Sequence, residues 1–109
     1  MTVGQLQFGK FIMVKTFYVY ILTNKYNTVL YTGVTNNLVR RVAEHRSRTG
    51  SKFASKYNVF KLVYYETFPY VLDAIAREKQ IKAGSRKKKI DLIVRRNKEW
   101  CDLMPDVGY

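Results

Sequence analysis

The sequence predicts an α+β domain with the element order ββαβαα. Three observations point to it. Two runs rich in β-branched and aromatic residues, FYVYILT at 17–23 and TVLYTG at 28–33, flank a turn-forming tetrapeptide. A third such run, VFKLVYYE, stands at 59–66. Stretches with the apolar period of a helix then fill the space between and after these strands. No internal repeat or low-complexity segment stands out, so one layer of helices on one sheet is the expected architecture.

Taken in order, the first two strands fold about Asn24-Lys25-Tyr26-Asn27. A four-residue turn pairs Thr23 with Thr28, Leu22 with Val29 and Tyr20 with Tyr31, so that two phenols share one face about 5 Å apart at Cβ. The same register sets Tyr18 across from Gly33. Thr35-Asn36-Asn37 offers N-cap residues for a helix through LVRRVAEHRSR, with Leu38, Val39, Val42 and Ala43 as its buried stripe and Gly50 as its end. Arg41 and His45 lie on another flank, one turn apart. Residues 51–58 read as a loop. After the third strand, Pro69 introduces a helix from about 70 to 82 that Gly84-Ser85 stops. Along one of its sides fall Val71, Ala74, Ile75, Glu78 and Ile81. Ser85 then caps a last helix, RKKKIDLIVRRN, whose Ile90, Ile93 and Val94 pack inward. Residues 1–13 read as a loosely attached arm, 14–103 as the domain and 104–109 as an irregular tail.

Composition narrows the function. In 109 residues, 20 Lys and Arg against 8 Asp and Glu leave a net charge of +12, which calls for a polyanionic partner, nucleic acid first. A hydrophobic content of 47% is enough for one modest core. No apolar run approaches the roughly 20 residues of a membrane span, and the N-terminus lacks a signal-peptide pattern. One cysteine and one histidine make neither an intramolecular disulfide nor a Cys/His zinc site, which suits a reducing, cytoplasmic setting.

Phosphodiester cleavage needs a base for water, positive charge at the phosphate oxygens and help for the leaving oxygen. Tyr20, Tyr31, Arg41, His45 and Glu78 can supply these. A carboxylate at the edge of a helix's apolar side needs a partner, either Lys82 one turn on or a metal ion. Four cations at the start of the last helix, Arg86, Lys87, Lys88 and Lys89, oppose its dipole and so favour a role in binding phosphates. With Arg40, Arg46 and Arg48 they form the expected nucleic-acid contacts.

Tyr18-Val19-Tyr20, Tyr31-Thr32-Gly33, Arg41, His45 and Glu78, in that order, resemble the GIY-YIG nuclease superfamily, and LVYYE, AREKQIK and NKEWCDL resemble its small single-domain bacterial members. The resemblance covers 17 to about 103. It implies a three-stranded antiparallel sheet flanked by helices, and a DNA endonuclease with one divalent cation, Mg²⁺ or Mn²⁺, on Glu78. By position, Arg41 would bind the scissile phosphate, Tyr20 or Tyr31 would act as base or place the water, and His45 would relay a proton or orient a tyrosine. Tyr20 is the favoured base, and Asn97 a supporting polar group near the metal. Tyr18 stands where the family name has Gly, and Thr32 where it has Ile. Three functions remain open: the endonuclease, with a protein partner supplying specificity; a nucleic-acid-binding module of the same fold without turnover; and a basic RNA-associated protein indifferent to Glu78.

Overall fold

In a computed structural model, residues 15–47 and 56–104 are described. The N-terminal arm, Arg48, Gly50 and residues 105–109 lie outside them. Strand β1 spans Phe17–Thr23, β2 Leu30–Thr35 and β3 Lys61–Phe68, and all pair antiparallel in the order β2-β1-β3. Helix α1 spans Leu38–Arg46, α2 Val71–Ala83 and α3 Arg86–Arg96. The expected α+β class and element order hold.

The β1–β2 register differs from the expected one. Tyr20 lies opposite Gly33, and Tyr31 opposite Leu22. Asn24 causes the shift: its Oδ1 accepts the backbone N–H groups of Thr28 at 2.8 Å and Val29 at 3.3 Å, while the Thr23 hydroxyl donates to the Val29 carbonyl at 2.8 Å. Residues 28 and 29 thus belong to the turn, and the strand begins at Leu30. The slip is two residues, so side-chain parity survives and Tyr20 and Tyr31 still share a face, as diagonal neighbours. The aromatic ring over Gly33 is accordingly that of Tyr20, not Tyr18.

Because β1 is central, both its faces need cover, and the sheet lies between helices rather than under one layer. Tyr20 and Leu22 pack with Leu38 and Val42 of α1, and with Val59, Leu62 and Met104. On the opposite face Val19 and Ile21 pack with Ala74 and Ile81 of α2 and Ile93 of α3. A bulge opposite Ile21 and Leu22 lets Val63 and Tyr64 both face the second core, while Leu62 and Tyr65 face the first. This explains why LVYYE reads as a continuous apolar run.

Several boundaries and burials shift. Residues 56 and 57 are helical, not loop. β3 starts at Lys61 rather than 59, although the Phe60 N–H still donates to the Thr23 carbonyl at 3.1 Å. Ala43, Val71 and Val94 are exposed. Met104, expected in the tail, is buried in the first core, tied down by Leu103 N–H to the Leu62 carbonyl at 2.7 Å and by Met104 N–H to Asp102 Oδ1 at 3.1 Å.

Candidate active site

The site grows from the contact between Tyr20 and Gly33. A Cβ at position 33 would sit 2.4 Å from the Tyr20 hydroxyl oxygen, so only glycine lets the phenol ring lie across the edge strand. Gly33 is needed for space, not for an unusual backbone conformation.

α1 brings His45 to that phenol. Asn37 caps the helix, its Oδ1 accepting the Arg40 N–H at 3.0 Å, which sets the phase that turns Leu38, Val42 and His45 inward. His45 is 3% exposed, and its Nε2 lies 3.2 Å from the Tyr20 hydroxyl. Its ring also meets Tyr31 edge-on, centroids 5.1 Å apart, and the two tyrosine rings stand 6.4 Å apart. His45 was expected on another flank from the apolar stripe, yet spacings of seven and three residues from Leu38 and Val42 put it on their face.

Burial pushes the Tyr20 phenol above its usual range; Tyr31, Glu44 and Glu78 add to this, and Arg41 opposes it. Burial likewise holds His45 below its usual range, helped by Arg41 and opposed by Glu44. The resting pair is therefore a neutral phenol and a neutral imidazole. With the imidazole proton on Nδ1, the phenol donates to Nε2. Nδ1 is buried and has no hydrogen-bond partner among the described residues. A base needs a lowered pKa, so Tyr20, the favoured base on sequence grounds, has the opposite perturbation.

Arg41 and Glu78 flank this cluster. Arg41 Nε lies 3.5 Å from Glu44 Oε1, and its charge reaches both Tyr20 and His45. Glu44 went unnoticed in the sequence, although its spacing from Arg40 and Arg41 is that of helical ion pairs. The Glu78 side chain, on α2, is 12% exposed and pairs with Lys82 Nζ at 2.5 Å. Lys82 also lines an open cleft of about 290 Å³ at the β2 edge, with Leu30, Tyr31, Thr32 and Lys89. Tyr31 thus touches His45 on one side and a cationic cleft on the other.

Among the described residues, no group of three or more His, Cys, Asp or Glu side chains gathers as a metal cage would require. One largely buried carboxylate is a donor set that fits Mg²⁺, a hard cation that keeps most of its water, and does not fit zinc.

The basic residues divide. Arg46 is engaged by the Asp102 carboxylate and, through Nε, by the Phe60 carbonyl at 3.0 Å. Lys89 Nζ donates to the Gly84 carbonyl at 3.0 Å and the Lys82 carbonyl at 3.4 Å, closing the end of α2. Arg86 reaches the Asn27 carbonyl at 3.4 Å, and Lys87 pairs with Asp91 at 3.3 Å. Arg40 is exposed, 3.8 Å from Glu44. Asn97 ties chain segments together: its amide donates to the Val63 and Cys101 carbonyls and accepts the Cys101 N–H.

An edge glycine under a tyrosine, a histidine joining two tyrosines, and an arginine and a glutamate whose charges reach the first of these tyrosines come together, and the family model for the GIY-YIG catalytic domain matches residues 16–91. The chain belongs to the GIY-YIG family, a nuclease family, and is similar within it to the UPF0213 proteins. One of these, from Clostridium perfringens, is 43% identical over 76 residues, covering 70% of this chain and 81% of that protein. Another, from Staphylococcus haemolyticus, is 40% identical over 79 residues, with 72% and 95% covered. The solution NMR structure of a UPF0213 protein from Bacillus halodurans is 31% identical, superposes with a TM-score of 0.52 and covers 85% of this chain and 97% of its own. No helix among the described residues is long and apolar enough to cross a membrane.

Proposed function

We propose that the protein is a divalent-metal-dependent endonuclease that hydrolyses phosphodiester bonds in DNA. The observation that carries this reading is the Tyr20–His45–Tyr31 cluster opening onto a cleft with Lys82 and Lys89, with Arg41 and Glu78 at its flanks.

In this reading Tyr31, half-buried on the cleft, is the base: as the phenolate it takes the proton of the attacking water and afterwards returns it to solvent, and the His45 ring, edge-on to it, holds it in place. Tyr20 holds the imidazole through its hydroxyl and stays protonated, a positioning residue. Arg41 binds a non-bridging oxygen of the scissile phosphate, with Glu44 steering its guanidinium. Bound at Glu78, Mg²⁺ or Mn²⁺ would supply positive charge beside the phosphate and the leaving oxygen. Lys82, on the cleft, draws the strand in.

The Lys82 ammonium on Glu78 favours one second reading, a nucleic-acid-binding module whose carboxylate is neutralised internally. Cleavage of supercoiled, branched and single-stranded DNA with Mg²⁺ separates the two. Metal-dependent cutting lost in Glu78→Ala, with binding kept, is expected. Tyr31→Phe should lower turnover at saturation by about 100-fold or more, the scale of a general base, and Tyr20→Phe by less. Binding without cutting in wild type would leave only the module.

A further inference from the structure

The tripeptide Lys-Tyr-Asn occurs twice, at Lys25-Tyr26-Asn27 and at Lys56-Tyr57-Asn58, and the fold brings the two copies together. All six residues except Asn27 and Lys56 line one open cavity of about 350 Å³, with Asn24 and Phe60 completing it. The copies are built alike. In each, the asparagine holds a left-handed backbone, φ 58° at Asn27 and 55° at Asn58, which fixes the turn that presents the tyrosine. In each, the lysine ammonium lies over the tyrosine ring, 5.6 Å from the centroid at Tyr26 and 5.3 Å at Tyr57.

The rings face water. Tyr26 is 73% exposed, Tyr57 41% and Phe60 38%. Their positions are set by the backbone: the Phe60 N–H donates to the Thr23 carbonyl, Arg46 Nε holds the Phe60 carbonyl, and Arg86 reaches the Asn27 carbonyl. Three exposed aromatics around one cavity, with two ammonium groups beside them, match what an unpaired strand needs: π-faces for its bases and cations for its phosphates. An acidic protein or an anionic membrane would also meet the lysines, but only an unpaired strand brings flat bases to the rings and phosphates to the ammonium groups in one ligand.

We infer that the twin Lys-Tyr-Asn turns, with Phe60, are a stacking platform for unpaired nucleobases, seating a single-stranded segment beside the site of cleavage. Thr23, bonded to Phe60, is three residues along β1 from Tyr20, or about 10 Å at the rise of a strand. A strand whose bases sit on the platform would therefore reach the catalytic face within a few nucleotides. The substrate class that follows is DNA with an unpaired segment next to the cut. This rests on the nucleic-acid partner proposed above but not on turnover.

The test measures binding of the full chain in EDTA, where no strand is cut, to an oligothymidylate of about twelve nucleotides, an abasic strand of the same length and a duplex of the same length. The wild type should bind oligothymidylate more tightly than the abasic strand. Tyr26→Ala with Tyr57→Ala should weaken oligothymidylate binding by about 10-fold or more while changing abasic-strand and duplex binding little. Tyr26→Phe with Tyr57→Phe, which keeps the π-faces, should bind as wild type does. Equal wild-type affinity for the oligothymidylate and abasic strands, or an equal loss on all three ligands in the alanine variant, would overturn the platform. A wild type that binds in this way yet cuts nothing with Mg²⁺ keeps the platform and loses the nuclease.

Discussion

At the scale of single residues, Gly33 and His45 carry the most consequence. A methyl group at position 33 would fall 2.4 Å from the Tyr20 hydroxyl oxygen and 2.5 Å from its ring carbon Cζ, so Gly33→Ala must displace a buried phenol. Overpacking of this kind costs about 1–3 kcal/mol. The displaced ring also gives up its bond to His45. Thermal unfolding should show the loss, and turnover should fall further than Tyr20→Phe alone makes it fall. A Gly33→Ala protein with wild-type melting and cleavage would mean that Tyr20 has another low-energy seat.

His45 gives a pH dependence whose sign is fixed by its surroundings. Burial and Arg41 lower its pKa from 6.5, so the fold opposes protonation. Its contribution to stability is in place above about pH 6.5 and is lost as pH falls below that value towards the depressed folded one. Urea midpoints at about pH 7.5 and about pH 5 should differ more for wild type than for His45→Gln, since the carboxylates common to both cancel in the comparison. Equal differences would place the histidine's proton outside the folding equilibrium. The residue was legible as a site candidate from its place after Arg41. Its burial was legible too, in the spacing from Leu38 and Val42, but an ionisable side chain is discounted when an apolar stripe is drawn.

At the scale of elements, the sequence exposed types and order better than register. β1 was bounded correctly by its own composition, because it is central and apolar on both faces. β2 was misplaced because the Asn24 side chain, by accepting two N–H groups, makes turn residues of Thr28 and Val29, which have good strand propensity. The shared face of the two tyrosines survived because a two-residue slip preserves parity.

The network on the other face of the sheet was not legible at all. Glu66 on β3 accepts from Arg77 Nε at 3.0 Å and Nη2 at 2.9 Å, and from the Tyr64 hydroxyl. It joins residues 11 apart in sequence across a strand and a helix, where no local spacing rule applies. Burial alone would raise the Glu66 carboxyl, but the Arg77 and Tyr64 hydrogen bonds hold it below its usual range. Removing the guanidinium by Arg77→Ala leaves a largely buried carboxylate with a weaker partner and should cost about 2–3 kcal/mol. Denaturant unfolding measures this, and DNA cleavage at temperatures well below the melt should be unchanged, since the network faces away from Tyr20. A selective loss of cleavage would tie this face to the reaction.

At the scale of the molecule, a net charge of +12 was read from the sequence as one electrostatic footprint, but the fold gives its cations different tasks. Lys89 closes the end of α2 through two carbonyls, and Arg46 holds the C-terminal segment through Asp102. Lys88 instead lines a cleft between α2 and α3 with Arg77 and Arg95, its own N–H accepted by the capping Ser85 hydroxyl. Charge alone cannot separate these groups, because a lysine donating to a carbonyl and a lysine waiting for a phosphate look alike in sequence. Their salt dependence can separate them. The slope of log affinity against log salt falls by about 1 for each phosphate contact removed. Lys88→Ala should therefore flatten the slope for duplex DNA and leave the melting temperature alone, whereas Lys89→Ala should lower the melting temperature because two carbonyls at the α2 terminus lose their donor. If the two substitutions act in the reverse sense, Lys89 meets phosphate from the cleft beside Tyr31, and the α2–α3 face takes no part in binding.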